Sequence, residues 1–180
     1  MIGERTRDSA VPGYRVRPVR PHRQDTDDPG GQMSSRTAVT MSEDEVRAFL
    51  EEPRTMALAS HTADGDIHQV GMWFGLQGDA LVMTAFHRSQ KVVNLRRDPR
   101  FSGLIEDGSG YADLRGVNLR GHAEVLTESD RVLDIVRMVT VRYGGQMPAS
   151  ATRAAAGRVA IILRPHHVTS WDHRKLAGGY

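Results

Sequence analysis

Three strand-like segments joined by two very short turns constrain the fold of this chain more than any other feature. The segments cover residues 55–61, 67–76 and 80–86, and the turns between them read Ala-Asp-Gly-Asp and Gln-Gly-Asp. Turns this short connect neighbouring antiparallel strands, because a parallel crossover needs about a dozen residues or more. The sequence therefore predicts an antiparallel meander.

Further strands follow the meander. Residues 101–107 are predicted as a fourth strand, and residues 117–126 alternate apolar and polar side chains as a fifth strand would. Residues 158–165 form an apolar run that leads into His-His-Val-Thr-Ser-Trp. Gly116 and Gly121 interrupt this part of the chain, and glycines inside strands are typical of bulges or bends that curl a sheet. These features favour a barrel over a flat sheet.

Three helices are predicted at the joints between strands. The first begins at a capping box, Ser42 with Glu45, and ends before Pro53. A short helix covers 89–97, and the longest, capped by Thr127 or Ser129, runs to a Gly-Gly stop at 144–145. Strands outnumber helices, so we expect a small α+β protein around an antiparallel barrel.

Residues 1–40 differ in composition from the rest of the chain. They mix Arg, Asp, Pro and Gly with few aliphatic side chains, so they cannot bury enough apolar surface to offset their ordering entropy. We expect a disordered arm over 1–40, or an extension upstream of a start at Met33 or Met41, followed by one domain over 41–180.

Composition excludes several classes of function. The chain has no cysteine, so disulfides, thiolate catalysis and cysteine-bound metals are absent. No apolar run approaches the roughly 18 residues that span a bilayer. We expect a cytoplasmic protein without a membrane or nucleic-acid partner. The histidines give no metal-binding pattern, since His166 and His167 are adjacent in a predicted strand and face opposite ways.

The corner between the third strand and the second helix is strongly basic. Ser89 is a candidate N-cap, Lys91 lies in the first turn, and Arg88 precedes them. Amide, hydroxyl and cationic donors together suit a phosphate. The alternatives are a capped surface helix with solvated arginines, or a nucleic-acid surface on which Phe86 and Trp73 stack bases.

This corner resembles a block of the pyridoxamine 5′-phosphate oxidase-like superfamily. The matching residues are Thr84, the Ser-Gln-Lys of 89–91, Leu95 and the Asp98-Pro99 pair, and the upstream stretch ADGDIHQVGMWF resembles a strand pair of the same family. The resemblance spans 41–172. It implies a six- to seven-stranded antiparallel split β-barrel with Greek-key connections and two to three flanking helices, which binds FMN or the deazaflavin coenzyme F420.

The resemblance also implies roles for individual residues. Arg88, Ser89 and Lys91 would hold the anionic tail of the cofactor, Met72 and Trp73 would flank its ring, and Thr84 would face the ring's heteroatoms. In the family the sites lie in a homodimer groove, which the C-terminal segment of the partner reaches. Trp171 and Arg174 would be those cross-subunit contacts.

The sequence departs from the family in two places. Ile67 and Gly71 replace the family's two prolines, and the C-terminal arginine–histidine block of the vitamin-making oxidases is missing, so we do not expect pyridoxamine phosphate oxidation. Arg96, Arg97 and Arg100 favour the acidic tail of F420 over FMN.

We expect hydride transfer between the cofactor and a small organic substrate. No catalytic side chain is identified: solvent, His68 or His173 would supply a proton. The alternatives are an FMN oxidoreductase of the same fold, or a non-catalytic protein that binds a cofactor, including haem held by His87 or His173.

Overall fold

The computed structural model describes residues 35–147, 150, 153 and 155–176. Its helices are α1 (Ser35–Val39), α2 (Glu43–Glu51), α3 (Gln90–Arg97) and α4 (Ser129–Arg142). Its strands are β1 (Met56–His61), β2 (Ile67–Met72), β3 (Gly75–Gln77), β4 (Ala80–Phe86), β5 (Arg100–Asp107), β6 (Arg115–Leu126) and β7 (Arg158–Asp172). Most of the predicted arm lies outside the described residues, and its last part forms α1. The boundary at residue 40 stays a prediction.

The seven strands form one antiparallel sheet whose two edges are consecutive pieces of the chain. The strand order is β2-β1-β5-β6-β7-β4-β3. Trp73 and Phe74 alone separate β2, which pairs with β1, from β3, which pairs with β4. The chain therefore passes from one edge to the other and closes the sheet into a barrel. This confirms the predicted α+β split barrel.

The crossing corrects one predicted element. The sequence predicts a single strand over 67–76, whereas the structure has two strands with Trp73 and Phe74 between them. Phe74 is fully buried in the core, and Trp73 is 56% exposed. A continuous run of strand-forming residues carries no local signal for a change of pairing partner, so the break could not be predicted from the sequence.

The bulge predicted at Gly121 is present. The pairing of β6 with β7 shifts its register between Arg120 and Gly121, and a Cβ atom on Gly121 would lie 2.1 Å from the Arg164 carbonyl oxygen. Gly116 shows no register shift. A Cβ atom there would lie 2.3 Å from the Trp171 ring, so this glycine makes room for the indole.

Helices cover the barrel in different ways. The main core combines inward side chains of the strands with residues of α2 and α3, namely Val46, Phe49, Leu50, Val92 and Leu95. Helix α4 packs on the outside of β4 and β7 through Val132, Ile135 and Val136 against Ala80, Val82, Ala160 and Ile162. Among the described residues, no helix is long and apolar enough to cross a membrane.

The predicted helix ends are largely confirmed. The Ser42 hydroxyl accepts a hydrogen bond from the Glu45 amide at 3.2 Å, and the Glu45 carboxylate accepts one from the Ser42 amide at 2.6 Å. Gly144, with φ +73°, follows the end of α4 as predicted. The N-cap of α4 is Glu128, between the two residues that the sequence suggested.

A buried polar contact joins α3 to β1. Asn94 is fully buried, its amide nitrogen donates to the Ser60 hydroxyl at 3.2 Å, and its amide oxygen accepts from the Gln90 side chain at 2.8 Å. Ser60 is also buried. Because buried polar atoms are costly when unpaired, this contact fixes the position of α3 on the barrel.

We therefore predict that Asn94→Ala destabilises the fold. The substitution leaves the Ser60 hydroxyl without this partner, which should lower the free energy of unfolding by about 1–3 kcal/mol. Chemical denaturation measures the change. Val93→Ala is the matched control, because Val93 is exposed on the same helix and its loss should change stability by about 0.5 kcal/mol or less. Equal losses in the two variants would contradict the prediction.

Candidate functional site

The basic corner is built by the turn between β4 and α3. Ser89 is the N-cap of α3, and its amide and hydroxyl both donate to the Phe86 carbonyl, at 2.9 and 2.8 Å. The hydroxyl therefore does not cap the helix. The amides of the first turn, at Gln90 and Lys91, have no acceptor within the helix, and they present the positive end of its dipole.

Lys91 adds a full charge to this corner. Its side chain is half-buried, and burial lowers the pKa of its ammonium group. In the described part of the chain no carboxylate forms an ion pair with Lys91, nor with the exposed Arg88 beside it. A partly buried cation without a counter-charge is stabilised when an anion binds next to it.

A cleft of about 720 Å³ lies against the crossing between β2 and β3. Its wall joins the end of β2 and part of β4 to the C-terminal half of α4 and the first residue of β7. It is lined by Gly71, Met72, Trp73, Thr84, Val136, Val139, Thr140, Tyr143, Gly144, Gly145, Gln146 and Arg158. Three of the predicted site residues, Met72, Trp73 and Thr84, therefore share one cavity, and none of the described residues that line it is acidic.

The pairing of β3 with β4 explains why Trp73 and Thr84 both line the cleft. Gly75 pairs with Val82 and Leu76 with Leu81. Gly75–Val82 is the last pair of this ladder, and Trp73 and Thr84 each lie two residues beyond it, so both residues come at the same end of the ladder. The sequence contains both residues, but their proximity depends on the crossing that closes the barrel.

Arg158 connects the cleft to the basic corner. It lines the cleft, pairs with Phe86 in the sheet, and holds its guanidinium carbon 4.5 Å from the centre of the Phe86 ring. The Phe86 carbonyl in turn accepts the two Ser89 hydrogen bonds. A ligand with a ring in the cleft and an anionic tail toward Lys91 would pass this arginine.

The C-terminal candidates lie elsewhere in the chain. Trp171 packs on Gly116, and Arg174 forms an ion pair with the buried Asp172 at 2.5 Å, which lowers the pKa of that carboxyl. Arg158 and Trp171 are separated by roughly 40 Å of strand, at about 3.3 Å per residue. Within one chain, the structure does not bring Trp171 and Arg174 to the cleft.

The arginines after the corner are partly engaged. The Arg97 guanidinium donates to the His61 carbonyl. Arg100 pairs with Asp98 at 2.6 Å, and this contact holds the pKa of the Asp98 carboxyl well below its usual range. Of the three arginines that favoured F420 in the sequence, Arg96 is the one with no such contact among the described residues.

Sequence reasoning missed the contribution of α4 and β7. Tyr143 fits the apolar stripe of the last helix, and Arg158 opens a buried strand, so neither stands out as a ligand-binding residue. Their place in the cleft follows from the packing of α4 against β4 and β7. No pattern in the sequence marks that contact.

Metal binding finds no support in the described residues. They contain no group of three or more His, Cys, Asp or Glu side chains placed to hold an ion. The His122 and His166 rings lie 5.2 Å apart beside a second cleft of about 530 Å³, which Arg100 and Arg120 also line.

Residues 42–172 match the family model described as pyridoxamine 5′-phosphate oxidase. A conserved hypothetical protein of Mycobacterium tuberculosis is 35% identical over 82% of this chain and 95% of its own, with a TM-score of 0.75. No match was found among curated proteins.

Two further structures extend the comparison. An F420 reductase is 27% identical over 68% of this chain and 94% of its own, with a TM-score of 0.57. An FAD-binding protein of Mesorhizobium loti, at 17% identity and a TM-score of 0.58, shares the fold over 73% of this chain and 94% of its own. With the family match covering most of the chain, the protein belongs to the pyridoxamine 5′-phosphate oxidase family, whose split barrel it has.

Proposed function

We propose that this protein is an oxidoreductase that uses F420, with FMN as the alternative, to transfer a hydride to or from a small organic substrate. The observation that carries the proposal is the half-buried Lys91, which has no carboxylate partner in the described chain and stands at the open start of α3. The aromatic cleft next to this corner supplies room for a planar ring.

The residues present fit such a cofactor. The ammonium of Lys91, the first amides of α3 and the guanidinium of Arg88 are donors for an anionic tail. Trp73, Met72 and Thr84 offer an apolar wall and one hydroxyl to the ring. Because the described lining residues include no Asp or Glu, an anionic ligand would meet no like charge from them.

The protein side of the reaction is binding and orientation. When bound, the cofactor supplies the hydride chemistry. Lys91 and the α3 amides would fix the tail, Arg158 would stand between tail and ring, and the cleft walls would exclude water. Neither His68 nor His173 is among the described residues that line the cleft, so within one chain neither is placed there to move a proton.

The choice of F420 over FMN rests on two observations. The F420 reductase is similar in sequence as well as in fold. Arg88 and Arg96 also extend the positive charge of the corner beyond what one phosphate needs. Arg97 and Arg100 are bound to the His61 carbonyl and to Asp98, so they do not count toward this additional charge.

The most direct test of the function is turnover. Reduced F420 and reduced FMN are each mixed with the protein and with a panel of enones, quinones and tetrapyrroles, and cofactor oxidation is followed spectroscopically. We expect protein-dependent oxidation with at least one acceptor. Tight binding with no turnover would favour the second candidate, a non-catalytic cofactor- or haem-binding protein.

Lys91→Ala tests the tail site. Loss of a charge-assisted contact should weaken F420 binding by about 1.5–3 kcal/mol and leave the fold intact. Fluorescence titration measures the change. Lys175→Ala is the matched control, because the other lysine of the chain is bound to Glu45 at 2.6 Å and to the Thr40 carbonyl. An unchanged Kd in Lys91→Ala removes Lys91 from the site.

The pH dependence of the same titration provides a second check. Burial lowers the Lys91 pKa in the free protein, and a bound anion favours the charged form and raises it again. Binding therefore takes up a proton in the interval between the two pKa values, and affinity falls as pH rises through that interval. Lys91→Arg should keep its affinity to higher pH, because a guanidinium stays charged.

We also propose that the protein acts as a homodimer. The outward side chains of β1 and β5, Ala57, Ala59, Ser102 and Leu104, are half-buried and mostly small, which suits the close approach of another flat surface. Helix α4 packs on other strands. A second copy on this face would bring another set of Trp171 and Arg174, which one chain keeps away from its own cleft.

Leu104→Arg tests this arrangement. A buried charge in the interface should convert a dimer into a monomer, and sedimentation velocity measures the mass. Val141→Arg is the control, because Val141 is 68% exposed on α4 and should leave the dimer unchanged. A wild-type monomer, or a Leu104→Arg dimer of unchanged affinity, would contradict the proposal.

A further inference from the structure

Two aromatic rings stack in parallel at the wall of the cleft. The centres of the Trp73 and Tyr143 rings are 4.6 Å apart, and their planes differ by 6°. Trp73 comes from the crossing between β2 and β3, and Tyr143 is the C-cap of α4. The stack therefore joins two elements that are far apart in sequence.

Tyr143 is held firmly on its own side of the stack. Its hydroxyl donates to the Arg54 carbonyl at 2.5 Å and accepts from the Phe74 amide at 3.3 Å. The neighbouring Arg142 donates to the carbonyls of Leu50 and Glu52. These contacts fix the tyrosine ring against the backbone that flanks Trp73.

Trp73 keeps one face open. Although Tyr143 covers part of the ring, Trp73 is 56% exposed and lines the cleft beside Met72 and Thr84. An unrestrained indole would exchange between rotamers in the cleft. Packed between a fixed tyrosine and the open cleft, it instead presents a flat surface in one orientation.

We infer that Tyr143 is a positioning residue that sets the plane of the Trp73 indole, and that the open face of Trp73 is the platform on which a planar conjugated ring stacks. The inference rests on the proposed function for the identity of that ring as a flavin or deazaflavin. Beyond the proposed function, Tyr143 at the end of α4 would act on the ligand through Trp73. The ring and the tail of the cofactor would then be recognised by different residues.

The hydroxyl of Tyr143 could instead serve the fold alone, as a link between α4 and the backbone at Arg54 and Phe74. The two roles differ in what a substitution does. Tyr143→Phe removes the hydroxyl contacts and keeps the stack, whereas Tyr143→Leu removes both. If Tyr143 positions Trp73, Tyr143→Leu should weaken ring binding more than Tyr143→Phe does.

The probes are ring systems without an anionic tail: riboflavin, and the deazaflavin chromophore that lacks the phosphate and glutamates of F420. We expect Tyr143→Leu to weaken their binding roughly tenfold and Tyr143→Phe to stay within about twofold of wild type. Tyr111→Leu is the matched control. Tyr111 also belongs to a ring pair, with His173 at 4.5 Å, and it does not line the cleft.

A second readout follows Trp73 without any ligand. The chain has two tryptophans, so a Trp171→Phe background leaves Trp73 as the one indole. In that background we expect Tyr143→Leu to reduce the near-ultraviolet circular dichroism of Trp73 and increase its quenching by acrylamide. Tyr143→Phe should change neither.

The outcomes separate cleanly. Unchanged ring affinity and an unchanged Trp73 signal in Tyr143→Leu overturn the inference, as do equal losses in the Phe and Leu variants. If Tyr143→Leu unfolds, Trp73→Leu takes its place: a loss of ring binding supports the platform, and none overturns it. If the wild type binds neither the tail-free rings nor the tailed cofactors, the Trp73 platform and the proposed function are both wrong. In that case the circular dichroism and acrylamide quenching of Trp73 without ligand still show whether Tyr143 sets the position of the indole.

Discussion

The passage of one segment from one edge of the sheet to the other is the constraint on which the rest of this structure depends. Between β2 and β3, Phe74 enters the core and Trp73 faces the cleft. The same step closes the barrel and brings β2 close to β4 and β7. Without it, Met72, Trp73 and Thr84 would lie on separate parts of an open sheet, and α4 would have no cleft to complete.

Apolar and cationic residues are distributed unevenly around the cleft. The described residues that line it are mainly apolar and include no carboxylate, and Arg158, which lines the cleft, also packs on Phe86 in the turn before α3. Lys91 does not line the cleft itself; it is partly desolvated at the start of α3, which raises the energy of its charged form until an anion approaches. Stacking against Trp73 would hold a ring, and Lys91 would hold a tail. The two contributions are separable because different residues supply them.

Much of this fold was predictable from sequence, and the reasons are local. Short turns predicted the antiparallel hairpins β1–β2 and β3–β4, although these lie at opposite edges of the sheet and do not form the single meander that was expected. The capping box predicted the start of α2, and Gly121 predicted the bulge. Each of these features depends on residues that are neighbours in the chain. The split of residues 67–76 into two strands and the place of Tyr143 and Arg158 in the cleft were not predictable. They follow from contacts between segments that are far apart in sequence, and from the packing of α4 on the outside of the barrel.

We infer that the corner at Lys91 binds the anionic tail of a redox-active ring. The measurement that tests it most directly compares, on the wild-type protein, the affinities for F420 and FMN with those for the same rings without phosphate, at low and at high salt. The account predicts that at least one tailed cofactor binds much more tightly than its tail-free ring, and that salt reduces this difference. Equal affinities for tailed and tail-free rings would contradict it.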